Sequence, residues 1–493
     1  MSLLLASLWH QAQVNSLVVA VQDEECALTY ADLYVEVKSA SYRLQQLEPR
    51  AVAIYADNGI PWVLADLAAH VMGVPTVPLP LFFSPAQLAH TVKTAGVDVV
   101  ITDQAVQVAA ALGIENPAIE PFHGVLQCLR LAVHETAHAL PVGTQKITFT
   151  SGTTGEPKGV CLGRRDMETV AESLRVASEG NDADRHLCLL PLATLLENVG
   201  GVFTPLFSGA TVCLPRLANV GLSGSSGLDV KRLIHALGEW QATSAIMVPQ
   251  MLEAVVAAAK LGVPVSHRLR YLAVGGAPVS SRLLEEAEAL GLPVHEGYGL
   301  SECASVVAVN RPGERRPGSV GKPLPHVRID FADDGEILIR DRAWLGYLGL
   351  DAERQDKDCI STGDLGYLDE DGYLHLTGRK KNIFITSFGR NVAPEWVERE
   401  LTSHPLILQA AVVGEARPFN AALVVPHPSA SKDAVDAALA EANQRLPDYA
   451  RVKTWIPVAP FSPHNGMATP NGRLRRPQIH AAYAEQLAAL YQQ

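Results

Sequence analysis

None of the seven cysteines, Cys26, Cys128, Cys161, Cys188, Cys213, Cys303 and Cys359, stands in a Cys-x-x-Cys pair. Zinc ribbons and disulfide frameworks are therefore disfavoured, and a reducing compartment is expected. Long apolar runs are missing as well. The most apolar region, 187–215, is broken by Glu197, Asn198 and several glycines and prolines before about 20 uninterrupted apolar residues accumulate, so no membrane span is expected. Positive charge is in deficit, with 40 Lys and Arg against 52 Asp and Glu and a formal net charge of -12. Such a balance argues against a surface built for nucleic acid, and any polyanionic ligand must meet a locally basic site. The opening "MSLLLASLWHQ" lacks both a basic n-region and a small-residue cleavage site, so it is read as an amphipathic first helix and the protein as cytoplasmic. No fixed-period repeat is evident, which disfavours a solenoid.

The 493 residues are 48% hydrophobic and 19% charged, a globular composition. Their number suggests about three compact units. Short β-rich runs alternate with helical patterns: "AVAIYA" before "IPWVLADLAAHVMG", "DVVITD" before "AVQVAAALG", "SAIMVP" before "QMLEAVVAAAKLG", "RYLAVGG" before "SSRLLEEAEALG". Buried strands followed by amphipathic helices indicate an α/β unit with mainly parallel sheets and crossover helices. After "PGERRPGSVGKPLPHVRI" the texture changes to short strands and turns, "VRIDF", "GEILIR" and "GYLDEDGYLHLTG", in which Asp-Glu-Asp-Gly reads as a hairpin turn. A small β-rich subdomain then ends near Gly378. The large N-terminal domain is placed at 1–378, a hinge at 379–381 ("GRKKN"), and a small α+β C-terminal domain at 382–493, with a helix from Lys432 to Leu446.

"TFTSGTTGEPKGV", Thr148 to Val160, follows a strand-like "KITFT" and crowds glycines and hydroxyls around Lys158. Glycine-rich turns let backbone N–H groups converge on an anion, and hydroxyls and a lysine add donors, so the candidate ligand is phosphate. The order Gly152-Thr153-Thr154-Gly155-Glu-Pro157-Lys158-Gly159 is not that of a Walker A loop, and Pro157 discourages a helix there. The whole string resembles the phosphate loop of the adenylate-forming (ANL) superfamily, which includes acyl-CoA synthetases, luciferases and peptide-synthetase adenylation domains.

Further motifs arrive in the order this resemblance implies. "EGYGLSEC" is similar to the aromatic-Gly-x-Ser/Thr-Glu motif, implying Tyr298 and Gly299 at adenine, Ser301 at phosphate and Glu302 as the magnesium ligand. "GGAPVS" resembles the wall of the adenine and acyl pockets and carries Gly276, Ala277 and Pro278. "STGDLGYLDEDGYLHLTGRKKNIFITSFGRNVAP" resembles the longest signature, implying Asp364 and Arg379 as ribose contacts, Lys381 at the swivel and Gly389 on the path of the thiol acceptor. "LLPLATLLENVGG" resembles the acyl-pocket motif of long-chain fatty acyl-CoA synthetases, with Thr194 where a histidine is usual. Near the end, where Gly-Lys-x-x-Arg is expected, Gly472 is followed by Arg473, with Arg476 in the later basic place. Arginine keeps the charge but is planar and directional, so the exchange is not conservative where geometry sets the rate.

The resemblance implies an acetyl-CoA synthetase-like fold and ATP-dependent activation of a carboxylic acid, a medium- or long-chain fatty acid, to acyl-AMP. Thr150, Ser151, Gly152, Thr153, Thr154, Gly155 and Lys158 would cradle phosphates, Glu302 would hold Mg2+, and Arg473 would bridge carboxylate and phosphate. Transfer to the thiol of coenzyme A would follow. Two alternatives stay open: a ligase loading the phosphopantetheine of an acyl carrier protein, and a degenerate nucleotide- or acyl-binding protein in which Arg473 has cost catalysis.

Overall fold

The computed structural model describes residues 2–134, 137–150, 158–224, 227–340, 344–349, 359–462, 465–469 and 473–491. Several helices start where short polar side chains satisfy first-turn N–H groups. Thr29 and Asp32 cap Tyr30–Leu47 reciprocally, as Ser84 and Gln87 cap Pro85–Ala95. Ser2 accepts from Leu5 N–H to open Leu3–Val14, which buries Leu4, Leu8 and Ala12, as the amphipathic reading of the first segment requires.

Two large sheets carry the N-terminal part. In the first, Val99–Thr102, Val52–Tyr55, Thr76–Pro78 and Thr144–Thr150 run parallel. Antiparallel Leu126–Arg130 flanks them on one side and Lys158–Gly163 on the other. In the second, Val19–Gln22, Thr211–Cys213, Arg185–Leu187, Ser244–Met247, Tyr271–Val274 and Val294–Leu300 form a parallel centre. Ser305–Val309 turns back antiparallel against Val294–Leu300. The alternating strand and helix pattern thus predicts the parallel centres, while the antiparallel margins arise where the chain returns without a crossover helix.

Arg328–Phe331, Glu336–Arg340, Cys359–Leu368 and Leu374–Arg379 form a separate antiparallel sheet. The last part is α+β: Ile407–Val413, Asn420–Pro426 and Val452–Pro457 form a sheet covered by Pro394–Thr402 and Lys432–Gln444. A tail helix, Arg476–Ala482, buries Ile479 against this unit.

Between the first sheet and helix Ile60–Met72 lies a lysine with no exposure to speak of. The Lys146 ammonium donates to Asp66 Oδ1 at 2.6 Å and to Asn198 Oδ1 at 2.5 Å, while Asn198 Nδ2 donates to Asp66 Oδ2 at 2.9 Å. Burial drives the Lys146 pKa below its usual value, and Asp66 opposes that drift. Each of the three groups satisfies the other two, which makes the burial tolerable. Asn198 begins a π-helical turn, Asn198–Phe203, so the triad pins that irregular segment to the sheet. Lys146→Ala would strand the Asp66 carboxylate and is expected to cost about 3–5 kcal/mol. Chemical denaturation that leaves the first unfolding transition in place would contradict this.

Candidate active site

The hairpin of Cys359–Leu368 and Leu374–Arg379 sets the first half of the site. Its turn is tied by Asp369, whose Oδ1 accepts from the N–H groups of Asp371 and Tyr373. Antiparallel register then puts Asp364 opposite Arg379. The Arg379 Nε donates to Asp364 Oδ1 at 2.6 Å, and Tyr298 donates its hydroxyl to Oδ2 at 2.7 Å from the neighbouring sheet. Asp364 is only 6% exposed. Burial raises its pKa, whereas Arg379, the Tyr298 hydroxyl and the field of Arg473 favour the charged form. The Tyr298 phenol, buried and beside a carboxylate, is pushed far above its usual value and stays a proton donor.

Two further cations share this place. Lys381 has its pKa lowered by burial and by Arg379 and Arg473, against Asp364 and Glu395. Arg473 is exposed as a residue, yet its guanidinium feels Arg379, Asp364 and Tyr298 and donates from Nη2 to the Gly276 carbonyl at 3.0 Å. That bond ties the C-terminal tail to the "GGAPVS" turn. Gly276 has φ 85°, a left-handed conformation that glycine adopts freely. A Cβ on Gly275 would stand 3.3 Å from the Gly297 carbonyl, so this turn lies close against the strand carrying Tyr298. Ala277 is half-buried and Pro278 exposed on the same turn.

Gly299 sits where the strand register slips; a Cβ there would fall 1.7 Å from the Ser305 carbonyl. The close approach turns the chain into a single 3-10 turn, Ser301–Cys303, which presents Ser301 and Glu302. Glu302 Oε1 accepts from the Tyr347 hydroxyl at 2.6 Å. The Lys158 ammonium lies 5.6 Å from the centre of the same Tyr347 ring. Tyr347 is a site residue that the sequence motifs did not single out. Its stretch, 344–349, pairs across the chain with the strand after the glycine-rich loop: Val160 bridges Tyr347, Cys161 N–H donates to the Gly346 carbonyl, and Leu348 N–H donates to the Gly159 carbonyl.

The sequence-derived residues thus fall into two groups, Asp364, Arg379, Tyr298, Lys381, Arg473 and Gly276 on one side, and Lys158 and Glu302 on the other. Thr150 ends its strand opposite Lys158. Ser151, Gly152, Thr153, Thr154 and Gly155 lie outside the described residues, as does the Thr150 side chain. Gly389 occupies an exposed turn with φ 70° between Phe384–Ile385 and Asn391–Val392, and no described contact joins it to Asp364. Arg476 is internal to the C-terminal unit, where it binds both Glu398 oxygens, at 2.9 and 2.6 Å, and Glu395 at 3.4 Å.

The acyl-pocket candidate, 189–203, is anchored by buried polar groups that its apolar pattern conceals. Asn58 donates to the Leu190 carbonyl and accepts from Leu192 N–H, both at 2.9 Å. Glu197 accepts from Leu190 N–H at 2.9 Å and meets His186 Nε2 at 3.2 Å. His186, Cys188 and Glu197 have ligand atoms within 4.8 Å of one another, but the His186 and Glu197 atoms are engaged in hydrogen bonds within the fold. Thr194, at the place of the usual histidine, donates its hydroxyl to the Pro191 carbonyl at 2.7 Å and closes a turn.

Three cations around one buried carboxylate leave a positive excess, and that carboxylate can accept from two hydroxyls. Glu302 offers a hard oxygen, and Lys158 a further cation nearby. These donor sets fit a magnesium nucleotide. Comparison with known proteins agrees in kind: residues 8–347 match the AMP-binding enzyme family and residues 381–493 the AMP-binding enzyme C-terminal domain. The chain belongs to the AMP-binding enzyme family. This AMP-binding enzyme is 27% identical over 569 residues to the long-chain-fatty-acid–CoA ligase FadD15 of Mycobacterium bovis, covering 94% of this chain and 92% of that one. It is 29% identical over 426 residues to the 2-succinylbenzoate–CoA ligase of Bacillus licheniformis, covering 80% and 83%. Both relatives are acid–thiol ligases. In fold it is similar to the anthranilate CoA ligase AuaEII in complex with anthranoyl-AMP, with TM-score 0.82 and 20% identity over 99% of this chain and 98% of that one. Among the described residues, no helix is long and apolar enough to cross a membrane.

Glu296 of this AMP-binding enzyme, two residues before Tyr298, is buried, and that burial pushes its pKa up to about 7 against the Val279 N–H and the field of Arg399 from the C-terminal unit. A carboxyl raised in this way contributes its full stability below its unfolded value near 4.3 and loses it as pH rises through about 7. The advantage of Glu296→Gln over the parent is therefore expected to grow as pH rises between those limits and to level off above pH 7 at about 3–4 kcal/mol. A difference in denaturation free energy that is flat from pH 4 to 8 would contradict the shift.

Proposed function

We propose that the enzyme joins a carboxylic acid to AMP with release of pyrophosphate and then passes the acyl group to the thiol of coenzyme A. The observation that carries this reading is the convergence of Arg379, Tyr298 and Arg473 on Asp364, beside a turn whose backbone can approach a flat ligand. A carboxylate is a poor acyl donor because its negative charge repels thiols and oxide leaves badly. Attack of its oxygen on the α-phosphorus of ATP, in line with departing pyrophosphate, asks the protein mainly for positioning and charge neutralisation. In this proposal Asp364 accepts from the ribose hydroxyls with Arg379 beside it, Tyr298 and Gly299 line adenine with the Gly276–Pro278 turn, and Ser301 and the 150–155 loop meet phosphate. Lys158 faces the β/γ-phosphates. Magnesium, held by Glu302, would neutralise triphosphate oxygens as charge spreads.

Arg473 would draw carboxylate and phosphate together; its fork has five donors, and the bond to Gly276 leaves others for the ligand. Afterwards a rotation at 379–381 would remove the 382–493 unit with Arg473 and bring the Gly389 turn to the acyl-adenylate. The thiol then attacks the acyl carbon, the C–O bond to AMP breaks, and AMP leaves with that oxygen. The FadD15 relative supports a medium- or long-chain fatty acid as substrate. The 2-succinylbenzoate ligase and the AuaEII fold neighbour support an aromatic acid as the second reading.

Pyrophosphate release over a panel of fatty acids of graded length and aryl acids tests both, with coenzyme A and an acyl carrier protein offered in turn as acceptor. Saturable release with one chain-length class and thioester on coenzyme A is expected. Release with aryl acids alone would favour the second reading, thioester on the carrier alone would move the acceptor, and ATP binding without acid-dependent release would overturn the proposal. Arg473→Lys is expected to keep or raise the adenylation rate. A loss of about a hundredfold, some 2.7 kcal/mol of barrier, would show that the site is built around the guanidinium.

A further inference from the structure

The Tyr347 side chain touches both charges of the second group. Its hydroxyl donates to Glu302 Oε1 at 2.6 Å, and the Lys158 ammonium lies 5.6 Å from its ring centre, within range of a cation–π attraction. The ring is held from behind by Trp344, edge-on at 5.0 Å. Its backbone is fixed by the Val160 bridge and by the flanking bonds from Cys161 and Leu348, so Tyr347 moves with the strand that begins at Lys158.

A glutamate on a one-turn helix has rotamer freedom that a metal ligand must lose on binding. A hydrogen bond to one oxygen removes that freedom beforehand and leaves the other oxygen free for a hard cation. The face of the same ring lies 5.6 Å from the Lys158 ammonium and limits where that side chain can settle. We propose that Tyr347 is a positioning residue for magnesium and the nucleotide phosphates, orienting Glu302 through its hydroxyl and Lys158 through its ring. The inference rests on the assignment of magnesium to Glu302 made above.

Tyr347→Phe keeps the ring and deletes the hydroxyl. Its expected effect is a five- to twentyfold rise in the Mg2+ concentration needed for half-maximal adenylation. The KM for the carboxylic acid should stay within twofold. The same rise is expected without turnover, in the Mg2+ dependence of thermal stabilisation by ATP. Glu302→Gln should raise the Mg2+ requirement further, and the double variant should match Glu302→Gln alone. If Glu302→Gln raises the requirement and Tyr347→Phe leaves it unchanged, the metal assignment stands and the role of Tyr347 is overturned. If Glu302→Gln has no effect on it, the metal assignment fails and takes the inference with it. Equal rises in Mg2+ requirement and acid KM, or a Tyr347→Phe protein unfolded at the assay temperature, would assign the phenol to the fold and likewise overturn it.

Discussion

A charged carboxylate held out of water must be matched by donors, and Asp364 is matched from three directions. Arg379 comes from the paired strand, Tyr298 from another sheet, and the field of Arg473 from the C-terminal tail. Removing water from that carboxylate strengthens every interaction it makes, favourable or not. The arrangement therefore works only if the hairpin register, the strand ending in "EGYGLSEC" and the C-terminal unit are all in place together. Arg473 makes the last condition explicit, because its bond to the Gly276 carbonyl joins the C-terminal tail to a turn 197 residues earlier in the chain.

The segment 189–203 follows a different logic. There the polar groups satisfy one another internally and hold a framework: Asn58 and Glu197 fix the backbone at Leu190–Leu192, and Lys146 and Asp66 pin Asn198 at the head of the π-helical turn. Fully satisfied buried networks specify one arrangement of the chain around them. A segment anchored in this way holds its apolar side chains in a fixed arrangement, as the proposed selection among acids by size requires. The cluster around Asp364, by contrast, keeps an excess of cations over carboxylates, Arg379, Lys381 and Arg473 against that one group.

Much of this was legible in the sequence, for local reasons. The Asp-Glu-Asp-Gly turn fixes a hairpin, and the hairpin register places Asp364 opposite Arg379. Pro157 and Gly159 argue against a helix after the glycine-rich loop, and the chain does return there as an antiparallel strand. Residues whose partners lie far along the chain were not legible. Tyr347 gains its position by pairing with Val160, nearly two hundred residues away, and nothing in "WLGYLGL" announces it. Asn58 and Lys146 read as ordinary polar residues until tertiary packing closes their networks. Arg476 shows the converse: it stands in a suggestive place beside Arg473, yet its charge is spent on Glu398 and Glu395 within its own unit. The unexpected π-helical turn follows an apolar run containing Glu197 and Asn198, whose side chains turn inward, a direction that periodicity does not encode.

Activation of the acid through an oxygen bridge to the α-phosphorus would be shown most directly by isotope transfer. Turnover of an acid carrying 18O in both carboxylate positions, in the presence of ATP and coenzyme A, should deliver one labelled oxygen to AMP and none to pyrophosphate. Unlabelled AMP, or label recovered in inorganic phosphate, would contradict an acyl-adenylate at this site.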